Sequence, residues 1–364
     1  MKNTFGQSIS VTLFGESHGE EIGVILDGMT PGIPVDSSKI AQQLALRRPQ
    51  GKISTSRVEA DEFRIVSGVF EGKTTGTPIC ILIPNKNKKS QDYQKELPRP
   101  GHADYAAECK YHGFQDWRGG GHFSGRLTAP LVAAGSIARE ALRSKGIFLG
   151  THIATLGGQI QDASMLGTPE ECNRLEQTVF PVLDPRCGEK MIAAIEAVAA
   201  EGDSIGGVLE SVVVGMPSGV GEPWFDSVES LLSHALFSIP AIKGVEFGTG
   251  FGITELRGSE ANDPLAVRDG CIVTTTNHNG GINGGITNGM PLRFRCAVKP
   301  TPSIFREQQT VAVEQMEERT LLLKGRHDPA IIHRARIVVD AMTALTLCDL
   351  LAMRYGTDYF RTKE

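Results

Sequence analysis

Hydrophobic positions change their period several times along the chain, and each change marks an element. Residues 8–14 alternate polar and apolar side chains and 22–26 form a short apolar run. They predict a half-buried strand and its return partner on either side of Gly15-Glu16-Ser17-His18-Gly19. Further β-branched or apolar runs predict strands over 66–70, 78–83, 148–156, 208–214 and 292–298, with another starting at Val245. Elsewhere the period becomes helical. Asp36, Ser37 or Ser38 caps a helix carrying Ile40, Leu44 and Leu46 up to Arg47 and Arg48. Residues 128–145 place Leu131, Ala134, Gly135, Ala138 and Leu142 on one face, with small side chains that predict an interior helix. Other helices are predicted over 190–200, through Leu231, Leu232 and Leu236 behind an acidic capping pair of Asp226 and Glu229, and over 339–353. Residues 157–186, with Pro169, Pro181 and Pro185, read as a loop-rich insertion, and the piece after Pro329 reads as strand-like.

Composition narrows the class. At 364 residues the chain could form two ordinary domains or one large α/β or α+β unit, and 40% hydrophobic with 22% charged residues predicts a substantial core. A net charge of −5 argues against a general nucleic-acid binder. Seven scattered cysteines without a C-x-x-C pair read as reduced thiols, hence a cytoplasmic setting. No run approaches the ~18 apolar residues of a membrane span, and the first residues lack an apolar signal region.

The 42 glycines gather in short motifs. In Arg118-Gly119-Gly120-Gly121-His122-Phe123-Ser124-Gly125-Arg126-Leu127-Thr128, three successive glycines precede the interior helix. Backbone amides, the helix N-terminus, Arg118 and Arg126 would make an anion cradle, with Ser124 and Thr128 as caps; a plain chain reversal is the alternative. His18 and His102 each stand in a glycine-framed turn, and His102 lies beside Asp104, behind two prolines. A rigid histidine next to a carboxylate suits a general acid, although a surface turn explains the same residues. Arg47, Arg48, Lys52 and Arg57 form a basic segment that could close on a phosphate or merely complement a helix C-terminus. Residues 68–74 are too short for a P-loop and no helix follows. There is no dinucleotide fingerprint, no metal-ligand spacing and no nucleophile elbow. What is left is an anionic, phosphorylated ligand met by arginines and amides, with histidines as proton donors.

Together with Lys299-Pro300-Thr301-Pro302-Ser303, the glycine pairs before Asn288-Gly289, and Gly325-Arg326-His327-Asp328-Pro329, these motifs resemble the successive signatures of the chorismate synthase family, in order and over the whole chain. The resemblance implies an α+β fold, a β-α-β sandwich with antiparallel sheets around a helical layer, as one domain over 1–364 in a homotetramer. It implies a carbon-oxygen lyase of the shikimate pathway to aromatic amino acids. The reaction would be a trans-1,4-elimination of phosphate from 5-enolpyruvylshikimate 3-phosphate, giving chorismate with reduced FMN and no net redox change. By position, His18, His102 and Asp328 would be catalytic. His122, Phe123, Ser124, Pro240, Ala241, Gly284, Lys299, Pro300, Thr301, Pro302, Ser303 and Arg326 would hold FMN. Arg47 would match the position assigned to NADPH, the candidate reductant, and Arg48 and Arg126 would meet the substrate phosphate. No metal is implied. The chain departs from many members at His122-Phe123-Ser124-Gly125, where Arg-Ser-Ser-Ala is common, and at Asp340, where a glutamate is usual.

Overall fold

Two antiparallel five-stranded sheets enclose a layer of helices in the computed structural model, which describes residues 2–49, 51, 53–54, 60–86, 94–323 and 327–361. The N-terminal sheet runs Thr4–Phe5, Ser10–Gly15, Glu21–Asp27, Ile79–Pro84, Arg64–Ser67. Its first predicted pair is a hairpin in register from Ser10 opposite Asp27 to Gly15 opposite Ile22. The strand expected over 66–70 breaks at Gly68. That residue has φ +81°, and a Cβ there would sit 2.6 Å from Ile79 Cα. Val69–Phe70 therefore leaves the sheet and pairs with Lys73–Thr74. The second sheet runs Ile242–Phe247, Leu292–Val298, Gly207–Val214, Phe148–Leu156, Ile160–Gln161.

Between the sheets lie Thr128–Arg143 and Ile332–Tyr355, with Ser37–Arg47 packed against both. The helix Ser37–Arg47 begins as predicted, with Asp36 Oδ1 accepting from Ser38 N at 2.8 Å. The two longer helices touch at Gly135, where a Cβ would come within 2.4 Å of Ala341 Cβ. Close backbone approach is the use of that small-residue face. Behind the crossing, Asp340 accepts from Thr151 Oγ1 at 2.6 Å and from Arg139 and Arg336 at 3.3 Å, bolting both helices to the second sheet. Buried apolar residues of both sheets and all three helices join in one cluster from Ile9 to Phe360.

Four further sequence expectations change. The last helix starts at Ile332, not 339, so the strand-like piece is helical; Ile332, Ile337, Val338 and Val339 are all buried, and a helix buried all round shows no amphipathic period. The loop-rich insertion contains the helix Pro169–Gln177, whose N-cap Thr168 accepts from Glu171 N. The helix predicted from 190 begins at Pro185 behind the N-cap Asp184. Ser227, not the Asp226 and Glu229 pair, caps Val228–Phe237, while Asp226 accepts from Gln7 Nε2 at 3.2 Å. Among the described residues, no helix is long and apolar enough to cross a membrane and no group of three or more potential metal ligands occurs.

Candidate active site

The three glycines are all used. Gly119, Gly120 and Gly121 have φ of 62°, 81° and 52° within the 3-10 turn Arg118–Phe123. Side chains at these positions would collide: a Cβ on Gly119 would lie 2.5 Å from the His18 ring, one on Gly120 3.2 Å from His102 Cε1, and one on Gly121 1.9 Å from Asp116 O. The two motif histidines thus press on successive glycines of one turn. The turn is stitched to the hairpin that carries His18, since Ser17 N donates to Gly121 O at 3.1 Å and His122 Nδ1 donates to Gly15 O at 2.8 Å.

The arginines flanking the glycines do not form the expected cradle. Arg118 is exposed and paired with Asp116 at 2.8 Å. Arg126 is buried and turned inward, donating to Asn85 Oδ1 at 3.0 Å, Pro84 O at 3.2 Å and Asp61 Oδ1. Ser124 caps the short turn Gly125–Leu127 by accepting from Arg126 N at 3.3 Å, but Thr128 donates its hydroxyl to Gly125 O instead of capping.

Beside this turn opens a cavity of about 810 Å³. Among the described residues, Lys2, Arg47, Lys299 and Arg334 line it against one carboxylate, Asp328, and four histidines also face it: His102, His122, His234 and His327. On a chain of net charge −5 this is a local cationic enclave. Its apolar surface comes from Phe123, Pro240, Ala241, Ile239, Val338 and Met342. Ala241 holds φ of 77°, an unusual backbone for alanine, and its carbonyl accepts from Lys299 N at 2.9 Å.

Among the described residues, the buried atoms Arg47 Nε, Arg334 Nε and Thr301 Oγ1 belong to this wall and have no hydrogen-bond partner. Buried polar atoms are nearly always paired, so those on this wall are open to a polar ligand. Arg47 is held by Asp61, whose Oδ2 lies 3.0 Å from its Nη2. Burial draws Arg47 below the usual guanidinium value, with Asp61 opposing. Burial would raise Asp61, but Arg47 and Arg126 hold its carboxyl below the ordinary range. Asp328 accepts from Arg334 Nη2. His333, next along the helix, is pushed down to about 4 by burial and then by Arg334, so it is neutral at ordinary pH.

His102 sits in a braced turn. Lys299 Nζ donates to Gly101 O at 2.5 Å, and His102 N donates to Arg99 O at 3.2 Å. Its Nδ1 lies 2.7 Å from Asp104 Oδ1, and Asp104 opens the helix Asp104–Tyr111, which the sequence reading left as a turn.

The structure brings most of the sequence-derived residues to this wall: His102 and Asp328, then His122, Phe123, Ser124, Pro240, Ala241, Lys299, Thr301, Pro302, Ser303 and Arg47. His18, Pro300, Arg48, Arg126 and Gly284 are not on it. His18 is buried against Gly119, and Gly284 is exposed at the tip of the hairpin joining Ile282–Asn283 to Ile286–Thr287. Arg48 lies 3.7 Å from Asp61 Oδ2. Arg326, like Lys52 and Arg57, falls outside the described residues. The sequence reading missed Lys2, His234 and Arg334, for which no local motif gives a signal, and gave no role to His327, although it stands inside a quoted motif.

Comparison with known proteins identifies the family. A family model described as chorismate synthase matches residues 9–352. The chorismate synthase of Pyrococcus abyssi is 48% identical over 351 residues, covering 96% of this chain and 97% of that protein. That of Thermococcus kodakarensis is 45% identical over 351 residues, with the same coverage of 96% and 97%. A crystal structure of chorismate synthase superposes with a TM-score of 0.76 at 29% identity, covering 96% of this chain and 94% of that one. Motif order, the two-sheet fold and these matches agree, and the chain belongs to the chorismate synthase family of carbon-oxygen lyases.

Proposed function

We propose that this chain eliminates phosphate from 5-enolpyruvylshikimate 3-phosphate to form chorismate, with reduced FMN bound in the cavity beside the glycine turn. One observation carries the reading: a cavity of about 810 Å³ joins an apolar wall to a cationic one on which buried polar atoms lack partners. That volume is within the ~300–1,000 Å³ of small-molecule sites. The residues fit a flavin, because Phe123, Pro240 and Ala241 offer apolar surface to a planar ring, while Thr301 Oγ1 is an orphan polar atom within the 299–303 segment. When bound, the reduced flavin supplies electron density to the breaking carbon-oxygen bond, with no net redox change.

The chain's own residues do the rest. Arg47 offers fixed charge to the departing phosphate, and His102 gives it a proton. Asp328, held by Arg334, receives the proton lost from the substrate ring. His122, its Nδ1 hydrogen engaged by Gly15 O, turns an accepting Nε2 to its surroundings in its neutral form. His18 acts through the glycine turn on which it packs, so its role is tested separately from the wall residues. NADPH as reductant, Arg48 and Arg126 as charge behind the phosphate, Pro300, Gly284 and Arg326 as FMN contacts, a homotetramer and a cytoplasmic setting complete the reading. They are supported by family membership. One domain over 1–364 is supported by the buried cluster that both sheets and all three helices share.

The test is anaerobic phosphate release from the substrate. Chemically reduced FMN gives turnover and oxidised FMN gives none, and the same assay with NADPH alone reports whether the protein reduces its own flavin. Full turnover with oxidised FMN would overturn the proposal.

A further inference from the structure

His102 Nδ1 has two polar neighbours: Asp104 Oδ1 at 2.7 Å and Arg99 Nη2 at 3.0 Å. They demand opposite tautomers. An ionised carboxylate only accepts and a guanidinium only donates. The geometry decides between them, because Arg99 directs its donors at Asp104, Nε to Oδ2 at 2.7 Å and Nη2 to Oδ1 at 2.8 Å. The Arg99 backbone N–H adds a third bond to Oδ2 at 3.0 Å. Burial would raise Asp104, but the hydrogen bonds from Arg99 and His102 prevail and hold it far below the usual carboxylate range. It is ionised throughout the working pH range. The turn cannot swing away, since Lys299 grips Gly101 O and Gly120 packs against the imidazole edge.

We infer that Asp104, oriented by Arg99, is a positioning residue that keeps a hydrogen on His102 Nδ1 and leaves Nε2 as the atom exchanging protons with the departing phosphate. This rests on the proposed role of His102. It adds a function for two residues that do not line the cavity. In Asp104→Asn the one remaining carbonyl oxygen is claimed at the Oδ2 position by the Arg99 backbone N–H and Nε, so the amide NH2 turns toward Nδ1 and donates where the carboxylate accepted. The neutral ring must move its hydrogen to Nε2, the wrong nitrogen to be reloaded through the same path.

The experiment uses the FMN-bound protein labelled with ¹⁵N-histidine, with the His102 signals assigned by their loss in His102→Ala. Recorded at a pH where the ring is neutral, wild type should show the Nδ1–H pattern. Asp104→Asn should show the Nε2–H pattern, with kcat for phosphate release lowered on the order of 10²-fold or more and KM unchanged. Asp104→Glu should keep the Nδ1–H pattern and recover part of the rate. If His102→Ala retains the wild-type rate, the role of His102 itself is wrong. If His102→Ala loses the rate while Asp104→Asn keeps either the rate or the Nδ1–H pattern, the positioning role is overturned. Should Asp104→Asn not fold, Asp104→Glu decides: an Nε2–H pattern there refutes the inference.

Discussion

Replacing Gly119 by alanine tests the packing on which the site is built. Two costs add. An L-residue at φ of 62° pays about 1–2 kcal/mol in left-handed backbone. The new Cβ would stand 2.5 Å from His18 Cδ2 and Nε2, and 3.1 Å from Ser17 Oγ. His18 is only 4% exposed and cannot simply swing into solvent, so the overlap is relieved by moving a packed ring, at a further ~1–3 kcal/mol. The sum is about 2–5 kcal/mol. Gly125→Ala is the matched control, because no heavy atom lies within 4 Å of its Cβ position and its φ is not in the left-handed range. Urea unfolding of the three proteins should give Gly119→Ala the lower midpoint, with Gly125→Ala near wild type. Phosphate release by folded Gly119→Ala should fall as much as ~10²-fold, the effect of an ångström-scale shift near reacting groups. Equal midpoints for the two alanine variants would show that His18 does not pack on Gly119.

Two further outcomes follow from buried groups. His333 is neutral in the folded protein at about 4 against 6.5 when free, so its contribution to stability is complete above pH 6.5 and is lost as the pH falls towards 4; comparing urea midpoints at pH 7 and 4.5, wild type should lose on the order of 3 kcal/mol more than His333→Gln, and parallel losses would refute the assignment. Asp349 accepts from Gln7 N at 3.0 Å, Ser8 N at 2.8 Å and Ile9 N at 2.9 Å; Asp349→Ala should cost about 3 kcal/mol in chemical unfolding and speed hydrogen exchange of those amides, and unchanged exchange would count against the tie.

What the sequence revealed depended on how local the cause was. The hairpin around His18 and the strand Leu292–Val298 were legible because one sheet face is buried and the period shows it. The final helix lost its first turns to a strand-like reading, because burial on every side erased the period. Thr168-Pro169-Glu170-Glu171 and Asp184-Pro185 carry good helix-start chemistry, yet proline serves equally as loop punctuation and hides it. Counter-ions divide in the same way. Arg118 is spent on Asp116, two residues away and visible in the sequence, whereas Arg126 is spent on Asp61, 65 positions away, which no local pattern reveals. Lys2, His234 and Arg334 reach the cavity from the segment ahead of the first strand and from two helices, so only the packing of the layers brings them together.

The Asp349 tie also sets an order of events during synthesis. The segment from Lys2 to Phe5 lines the cavity, yet the carboxylate that fixes the backbone just after it lies 342 positions beyond Gln7. Asp328, Arg334 and Met342 of the same wall also emerge late. A nascent chain can pair its first strands long before it can close this cavity, and contacts of such sequence separation form slowly. Ribosome-stalled chains ending before the last helix should therefore carry a folded N-terminal sheet with no capacity to retain flavin, and cofactor capture should coincide with release of the finished polypeptide.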